Sequence, residues 1–313
     1  MRAMILRHHA DPSIAMLPVA GRPLLARQLE WLRGQGVEHI VLEVGVTTTD
    51  QDVLAWLATE PALSADVVAV SGRAPLTPHA LAERAGWDGA TGVIVPGDVL
   101  ACADVPTLLA SANHTIMVVH LTTPDGLLQG GLGVFGVDRS GVSLIAHGWS
   151  CRLRHRADAL LVSSHILAGR LAGVEVPARK AMEGVWLARG ARIEAGARVL
   201  GPVLVGPGAL IRAGACVGPN VLVGAGAVIE RDAVVQGAIV EPEVLVGEGF
   251  VANGVQVEPA SLRNLRTGEL VRLVDDPLEL GHRDFNGGRA RRASAVFAVL
   301  APLVALAATT GWW

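Results

Sequence analysis

A six-residue repeat runs through the C-terminal half of this 313-residue chain and limits its fold more than any other feature. An aliphatic residue recurs at this spacing without exception, at Leu187, Ile193, Val199, Val205, Ile211, Val217, Val223, Ile229 and Val235. Four positions after each comes a small or β-branched residue, at Ala191, Ala197, Val203, Ala209, Ala215, Val221, Ala227, Ala233 and Ile239. Neither an α-helix nor an ordinary strand has a period of six, whereas a parallel β-helix built from hexapeptides does. The repeat therefore predicts a left-handed parallel β-helix over residues 185–260.

The number of repeats sets the expected height of this β-helix. Each triangular coil uses about three hexapeptides, so the run predicts about three coils. Leu245, Val251 and Val257 continue the spacing and predict a fourth coil.

Residues 1–180 have a different pattern, in which short apolar runs alternate with stretches of helical period. The predicted strands are Ala3–Leu6, His39–Val44, Ala65–Val70, Gly92–Val95 and Thr115–Leu121. The predicted helices are Pro23–Gln35, Gln51–Thr59, Pro78–Ala85 and Val105–Ala112. Near-continuous apolar strands separated by helices are typical of a mostly parallel α/β sheet that is covered on both faces. Ligands of such sheets bind at the carboxyl ends of the strands.

Three segments of this region carry a resemblance to a known family. AMIL followed by MLPVAGRPLLARQLEWLRGQGVEHIVLEV resembles the start of a sugar-phosphate nucleotidyltransferase (NDP-sugar pyrophosphorylase). VIVPGDVL and GLGVFGVDRSGVSLIAH resemble two later landmarks of the same family. The resemblance covers roughly residues 1–170 and implies a nucleotidyltransferase-like, Rossmann-type sheet.

The segment between the first strand and MLPV departs from this family. The family has a Gly-rich loop with an Arg and then a Lys, which cradle the triphosphate and neutralise charge at the transferred phosphorus. Here the nine residues RHHADPSIA contain no Gly, and Ile14 stands where the family has its Lys. Lys180 is the only lysine of the chain, so no nearby lysine substitutes for it. The sequence therefore predicts that no intact catalytic residues are present.

Arg7, Gly97 and Asp98 are the candidates for a vestigial nucleotide site. The resemblance implies that Asp98 holds the divalent cation, so Mg²⁺ is the only cofactor expected, and only if nucleotide binding remains. Mg²⁺ usually needs one or two carboxylates plus phosphates, and no second carboxylate is identified. The alternative is that Asp98 caps a turn at a strand end. Arg7, His8 and His9 follow the first strand and could contact phosphate there, and the alternative is that they lie in a solvated loop.

The repeat region also resembles the hexapeptide acyltransferases, which use a His as general base. No His occurs between Ala181 and Ala260, so this activity is the weaker alternative.

The last part of the chain predicts a hairpin and linker followed by a membrane-associating helix. Residues 261–292 begin with alternating apolar residues about Thr267–Gly268 and become polar and Gly-rich. Residues 293–313 then contain no charged side chain, after a cluster of arginines, and end in two tryptophans. Their length just spans a hydrocarbon core. The alternative is an apolar helix docked on a partner.

These features predict a catalytically degenerate sugar-nucleotide pyrophosphorylase homologue that scaffolds or regulates cell-surface polysaccharide synthesis. The alternative is an active sugar-1-phosphate nucleotidyltransferase. The expected partners are a weakly bound nucleotide or sugar phosphate, the membrane, and either a second copy or a polysaccharide-synthesis protein. A nucleic acid is not expected, because the formal net charge is −3. The three cysteines are widely spaced and no signal peptide is recognised, so the expected location is the cytoplasm or the cytoplasmic face of a bacterial inner membrane.

Overall fold

The computed structural model describes residues 1–8, 11–72, 76–87, 92–111, 115–123, 127–135 and 138–272. The chain divides into two compact units. Unit 1 comprises Met1–Ile166 and Leu171–Glu175, and unit 2 comprises Leu167–Arg170 and the residues from Val176 onward.

The elements up to residue 167 alternate between strands and helices. They are β1 (Arg2–Leu6), a 3-10 helix (Pro12–Met16), β2 (Pro18–Val19), β3 (Arg22–Pro23), α1 (Leu24–Gly34), β4 (His39–Val44), α2 (Thr48–Thr59), α3 (Pro61–Ser64), β5 (Val67–Ser71), α4 (Pro78–Arg84), β6 (Gly92–Pro96), β7 (Val99–Ala103), α5 (Val105–Ser111), β8 (Thr115–Thr122), β9 (Leu128–Gln129), β10 (Leu132–Phe135), β11 (Asp138–Arg152) and α6 (Arg156–Leu167). The strands and helices that the sequence predicts in this region are all present, with ends that differ by a few residues.

Unit 1 is built on a nine-stranded sheet whose order is β5-β4-β1-β6-β10-β8-β11-β7, with β9 paired to β11. The four strands β5, β4, β1 and β6 are parallel neighbours, as the sequence predicts. The rest of the sheet is mixed, because β10 runs antiparallel to β6 and β8, and β11 runs antiparallel to β7 and β9. Only two residues separate β9 from β10 and β10 from β11, and a parallel connection needs a crossover of about a dozen residues or more.

Helices cover both faces of the parallel strands. On one face, Leu25 and Leu29 of α1 pack in a buried cluster with Ile5 of β1. On the other face, Leu81 of α4 packs in a second buried cluster with Met4 of β1. Adjacent residues of β1 thus point to opposite faces, which explains why this strand is apolar throughout.

Unit 2 consists of short strands. They are β12 (Arg179–Met182), β13 (Val185–Leu187), β14 (Arg192–Ile193), β15 (Arg198–Val199), β16 (Val203–Val205), β17 (Leu210–Ile211), β18 (Cys216–Val217), β19 (Val221–Val223), β20 (Val228–Ile229), β21 (Val234–Gln236), β22 (Ala238–Val240), β23 (Leu245–Val246), β24 (Val251–Asn253), β25 (Val255–Glu258), β26 (Ser261–Asn264) and β27 (Leu270–Arg272).

These strands form three parallel stacks, as expected for a β-helix. The stacks are β13-β16-β19-β22-β25, β14-β17-β20-β23 and β15-β18-β21-β24. Val185 pairs with Val203, and Val203 pairs with Val221, so one coil contains 18 residues, or three hexapeptides. The stacks contain four coils, which confirms the predicted fourth coil. The repeated aliphatic and small residues form one buried cluster along the axis.

The predicted register is wrong after Val235. Val221 pairs with Ala238, 17 residues further on, because the turn at Gln236–Gly237 is one residue shorter than the earlier turns. Gly237 adopts a φ of 51°, which a glycine tolerates without strain.

This shortening moves the inward positions by one residue. Ala238 and Val240 line the interior in place of Ile239, and Val246 and Ala252 are buried in place of Leu245 and Val251. Leu245 is 37% exposed and Val251 is 44% exposed. Val257 is buried, as predicted.

The predicted hairpin about Thr267–Gly268 is present, since β26 and β27 are antiparallel. The predicted linker beyond residue 272 and the predicted membrane-associating helix at residues 293–313 lie outside the described residues. Among the residues that the structure describes, no helix has both the length and the apolar character needed to cross a membrane.

Candidate functional site

The candidate site lies at the carboxyl ends of β1, β4 and β6. β1 lies between the other two strands, and Leu6 at its end pairs with Pro96 of β6. Arg7, Gly45 and Gly97 follow these three strands directly, so they lie at one edge of the sheet. Ligands of open α/β sheets bind at such an edge.

Arg7 is held by two carboxylates. Its Nε donates to Asp50 Oδ1 at 2.6 Å, and its Nη2 donates to Asp50 Oδ2 at 2.8 Å. Its backbone N–H donates to Glu43 Oε2 at 3.1 Å. The Arg7 side chain is 13% exposed and that of Asp50 is 4% exposed. The guanidinium that the sequence offers as a phosphate ligand is therefore engaged in a nearly buried, bidentate ion pair.

Asp50 also begins helix α2. Thr47 and Asp50 form a reciprocal capping box, in which each side chain accepts the backbone N–H of the other. Burial raises the pKa of Asp50, but hydrogen bonds from Arg7, from the Thr47 hydroxyl and from backbone amides outweigh it and lower this pKa to about 2. Asp50 thus joins the end of β1 to the start of α2.

Gly97 brings the ends of β1 and β6 together. A Cβ at this position would lie 2.2 Å from the carbonyl oxygen of Leu6 and 3.2 Å from the backbone nitrogen of His8. A residue with a side chain would therefore separate the two strand ends. The structure gives Gly97 a packing role at the position where the resemblance expects a nucleotide.

Asp98 is buried beside two basic side chains. Arg152, at the end of β11, places Nη1 at 3.1 Å from Asp98 Oδ2. His8 places Nε2 at 3.8 Å from the same oxygen, and its Nδ1 accepts the backbone N–H of Asp11 at 3.0 Å. The same Nδ1 lies 3.2 Å from the carbonyl oxygen of Asp11, so these contacts are compatible with either ring tautomer.

This environment is a poor fit for Mg²⁺. The cation prefers carboxylate, phosphate and water oxygens, whereas the charged neighbours of Asp98 are an arginine and a histidine. Among the described residues, no group of three or more His, Cys, Asp or Glu side chains is arranged to hold a metal ion. The described residues around Asp98 thus do not fit a Mg²⁺ ion.

The 3-10 helix Pro12–Met16 precedes Leu17 and lies against α1 and α2. Asp11 caps the 3-10 helix by accepting from Ser13 N at 3.0 Å and from Ser13 Oγ at 2.6 Å. Ile14, at the position of the family's Lys, is 1% exposed. The position where the resemblance expects a lysine is therefore occupied by an aliphatic side chain in the core.

A small cavity lies among these residues. Arg7, His8, Gln28, Glu43, Asp50 and Gly97 are among the residues that line it, and its volume is about 30 Å³. That volume holds one or two water molecules, whereas ligand pockets usually measure about 300 Å³ or more. Gln28 donates to the carbonyl oxygens of Pro96 and Val99, and its own Oε1 is buried without a partner among the described atoms. This cavity has the size of a water site.

Sequence reasoning missed Glu43, Asp50 and Arg152. The spacing of Thr47 and Asp50 is that of a capping box and was the available signal for the start of α2. Glu43, within an otherwise apolar strand, was a second signal, because a buried carboxylate needs partners. Arg152 comes close to Asp98 only through the pairing of β11 with β7, which the sequence does not reveal.

No family model and no curated protein sequence matches this chain. A crystal structure of HddC from Yersinia pseudotuberculosis complexed with GMP-PN is similar at 13% identity and a TM-score of 0.40, over 53% of this chain and 99% of that one. A second crystal structure of HddC from this organism is similar at 13% identity and a TM-score of 0.38, over 48% of this chain and 92% of that one. These scores are too low to assign a family.

Proposed function

We propose that this protein is a catalytically degenerate relative of the sugar-nucleotide pyrophosphorylases, with a scaffolding or regulatory role in cell-surface polysaccharide synthesis. The observation that carries the proposal is the ion pair between Arg7 and Asp50 at the carboxyl end of β1. A carboxylate takes the place of the phosphate that an arginine at this edge would otherwise bind.

Two further observations support the loss of catalysis. Ile14 places a buried aliphatic side chain where the resemblance expects a lysine. Gly97 brings the end of β6 against the end of β1, and the cavity at this edge of the sheet has a volume of about 30 Å³. Nucleotidyl transfer depends on oriented positive charge at the phosphates, and the loss of one such donor typically costs on the order of 100- to 1,000-fold in rate.

The proposed role at a membrane is supported by the sequence. Residues 293–313 carry no charge and follow three arginines, and a Gly-rich polar linker precedes them. The proposed location is the cytoplasmic face of a bacterial inner membrane, where the β-helix would present the protein to a polysaccharide-synthesis partner. A weakly bound nucleotide or sugar phosphate is the proposed ligand of unit 1.

The enzyme assay that tests this proposal measures pyrophosphate release from nucleoside triphosphates and sugar 1-phosphates with Mg²⁺. We expect no release above a control without protein. Turnover that depends on both substrates would support the alternative of an active nucleotidyltransferase, which the retained Asp98 at the end of β6 favours. Acyl transfer from acyl-CoA, measured on the same preparation, is also expected to be absent because residues 181–260 contain no His.

A further inference from the structure

One outer face of the β-helix carries an arginine in the first coil and aliphatic residues in the next three coils. We define face D as the outer side of the stack β14-β17-β20-β23. The first residue of each strand lies on this side, and these residues are Arg192, Leu210, Val228 and Leu245. The second residue of the last three strands is buried in the interior. Leu210 and Val228 are half-buried, and Leu245 is 37% exposed.

The charges of the coils change in one direction along the axis. Residues 185–202 contain three arginines and one glutamate, a formal charge of +2, and residues 203–220 contain one arginine, a charge of +1. Residues 221–237 contain one arginine and two acidic residues, a charge of −1, and residues 238–254 contain three glutamates, a charge of −3. The first coil is therefore the most basic and the fourth coil the most acidic.

In the turn that precedes each strand of face D, and at the start of that strand, the charge also changes from positive in the first coil to negative in the fourth. Arg189 and Arg192 are exposed in the first coil, and Glu243 is exposed in the fourth. Within the part of the chain that the structure describes, none of these three side chains forms an ion pair. At the opposite edge of face D, by contrast, Arg212 pairs with Glu194 at 3.4 Å and with Glu230 at 3.1 Å, so those charges are matched inside the molecule.

We propose that face D binds a second copy of this chain, in an antiparallel dimer. A two-fold axis between the second and third coils would place Leu210 of one copy opposite Val228 of the other, and Arg192 opposite Leu245. The +2 coil would then face the −3 coil, and the +1 coil would face the −1 coil. A two-fold interface is self-complementary, so each of these contacts occurs twice.

The summed charges of the coils favour the antiparallel arrangement over the parallel one. With the two axes in the same direction, the fourth coils would meet with −3 on each side, and like charges across an interface cost free energy. The antiparallel arrangement removes this repulsion and covers the apolar residues of face D at the same time. The proposal is independent of nucleotide chemistry in unit 1.

A charge exchange tests both the interface and its direction. Sedimentation equilibrium of the full-length chain, in a mild detergent that keeps residues 293–313 from associating, is expected to show a dimer that weakens at high salt. Arg192→Glu and Glu243→Arg should each raise the dimer dissociation constant about tenfold or more, because each substitution acts at two symmetric contacts. The double variant Arg192→Glu/Glu243→Arg should recover most of the lost affinity. Arg198→Glu, exposed in the same coil on the neighbouring face, is the matched control and should change the constant much less, because its side chain lies away from the contact.

Three results would overturn the proposal. These are a monomeric wild-type chain, a trimer, and a double variant that dimerises no more tightly than either single variant. Thermal unfolding of every variant is followed by circular dichroism as a control for folding. Melting temperatures equal to that of the wild type show that a change in association is not caused by a loss of fold.

Discussion

Arg7 and Asp50 lie 43 residues apart in the chain and form a bidentate ion pair at the carboxyl end of the parallel sheet. Asp50 belongs to the first turn of α2, and Arg7 directly follows β1. The Arg7 guanidinium also covers Gly45, where a Cβ would lie 2.5 Å from its Cζ. The ion pair therefore holds the end of β1 against the start of α2. This is the edge of the sheet at which open α/β proteins bind their ligands.

Asp50→Asn should lower the free energy of unfolding by about 2–3 kcal/mol at neutral pH. It leaves the nearly buried Arg7 without a charged partner and weakens the cap of α2. Denaturant unfolding at pH 7 measures the change. Asp52→Asn, an exposed carboxylate on the same helix, is the matched control and should change the free energy by less than about 0.5 kcal/mol. Equal effects of the two substitutions would contradict the assigned role of Asp50.

The same ion pair predicts a pH dependence. The pKa of Asp50 is about 2 in the folded state, below its ordinary value of 3.8, so the unfolded state binds the proton more readily. The contribution of this carboxylate to stability is therefore complete above about pH 4 and is lost as the pH falls towards 2. In Asp50→Asn this loss should be absent, so the difference in unfolding free energy between wild type and variant should shrink across that window. A difference that stays constant from pH 5 to pH 2 would refute the assignment.

Gly97→Ala should destabilise unit 1 by about 1–3 kcal/mol, because its Cβ would lie 2.2 Å from a backbone oxygen that cannot move alone. Gly34→Ala at the end of α1 provides a control of the opposite sign. A Cβ at Gly34 meets no atom within 4 Å, and alanine is the better helix former by about 0.5–1 kcal/mol. Thermal unfolding of both variants measures the contrast. The packing account of Gly97 would fail if both substitutions were neutral.

Adjacent residues of the fourth coil test the observed register. Ala252→Asp places a carboxylate in the interior of the β-helix and should cost several kcal/mol, whereas Val251→Asp places it on the outer surface and should cost little. Melting temperatures of the two variants give the comparison. The uninterrupted six-residue spacing predicts the reverse order, so a greater loss in Val251→Asp would restore the register expected from the sequence.

Most of the fold could be predicted from the sequence because it follows local rules. The six-residue spacing places Val217 and its equivalents inside the β-helix, and the helical period places Leu25 and Leu29 of α1 against the sheet. The prediction failed where one residue is missing from a repeat, at Gln236–Gly237, since Leu245 and Val251 then lie outside and their neighbours Val246 and Ala252 inside.

The candidate site was less accessible to sequence reasoning. The absence of a glycine-rich loop and the presence of Ile14 are local features and were visible in the sequence. The partners of Arg7 and Asp98 were not, because Asp50 and Arg152 reach them through the pairing of distant strands and helices. A charged residue at a strand end thus indicates a ligand site or an ion pair equally well until the fold is known.

Removal of residues 289–313 should move the protein from the membrane fraction to the soluble fraction, because these residues carry the proposed anchor. Both units should keep their melting transitions, since a Gly-rich linker separates the segment from the β-helix. Cell fractionation with a high-salt wash distinguishes insertion from electrostatic contact. A full-length chain found in the soluble fraction at low salt would refute the proposed location.

The central claim, that unit 1 has lost the chemistry of nucleotidyl transfer, is tested most directly by calorimetric titration of the full-length chain with nucleoside triphosphate and Mg²⁺. We predict a dissociation constant of about 1 mM or weaker, equivalent to a binding free energy of about −4 kcal/mol. We also predict that Asp98→Asn leaves this weak affinity nearly unchanged, since Arg152 and His8 already occupy the carboxylate. Micromolar affinity that requires Mg²⁺ and disappears in Asp98→Asn would contradict the account and indicate a working nucleotide site.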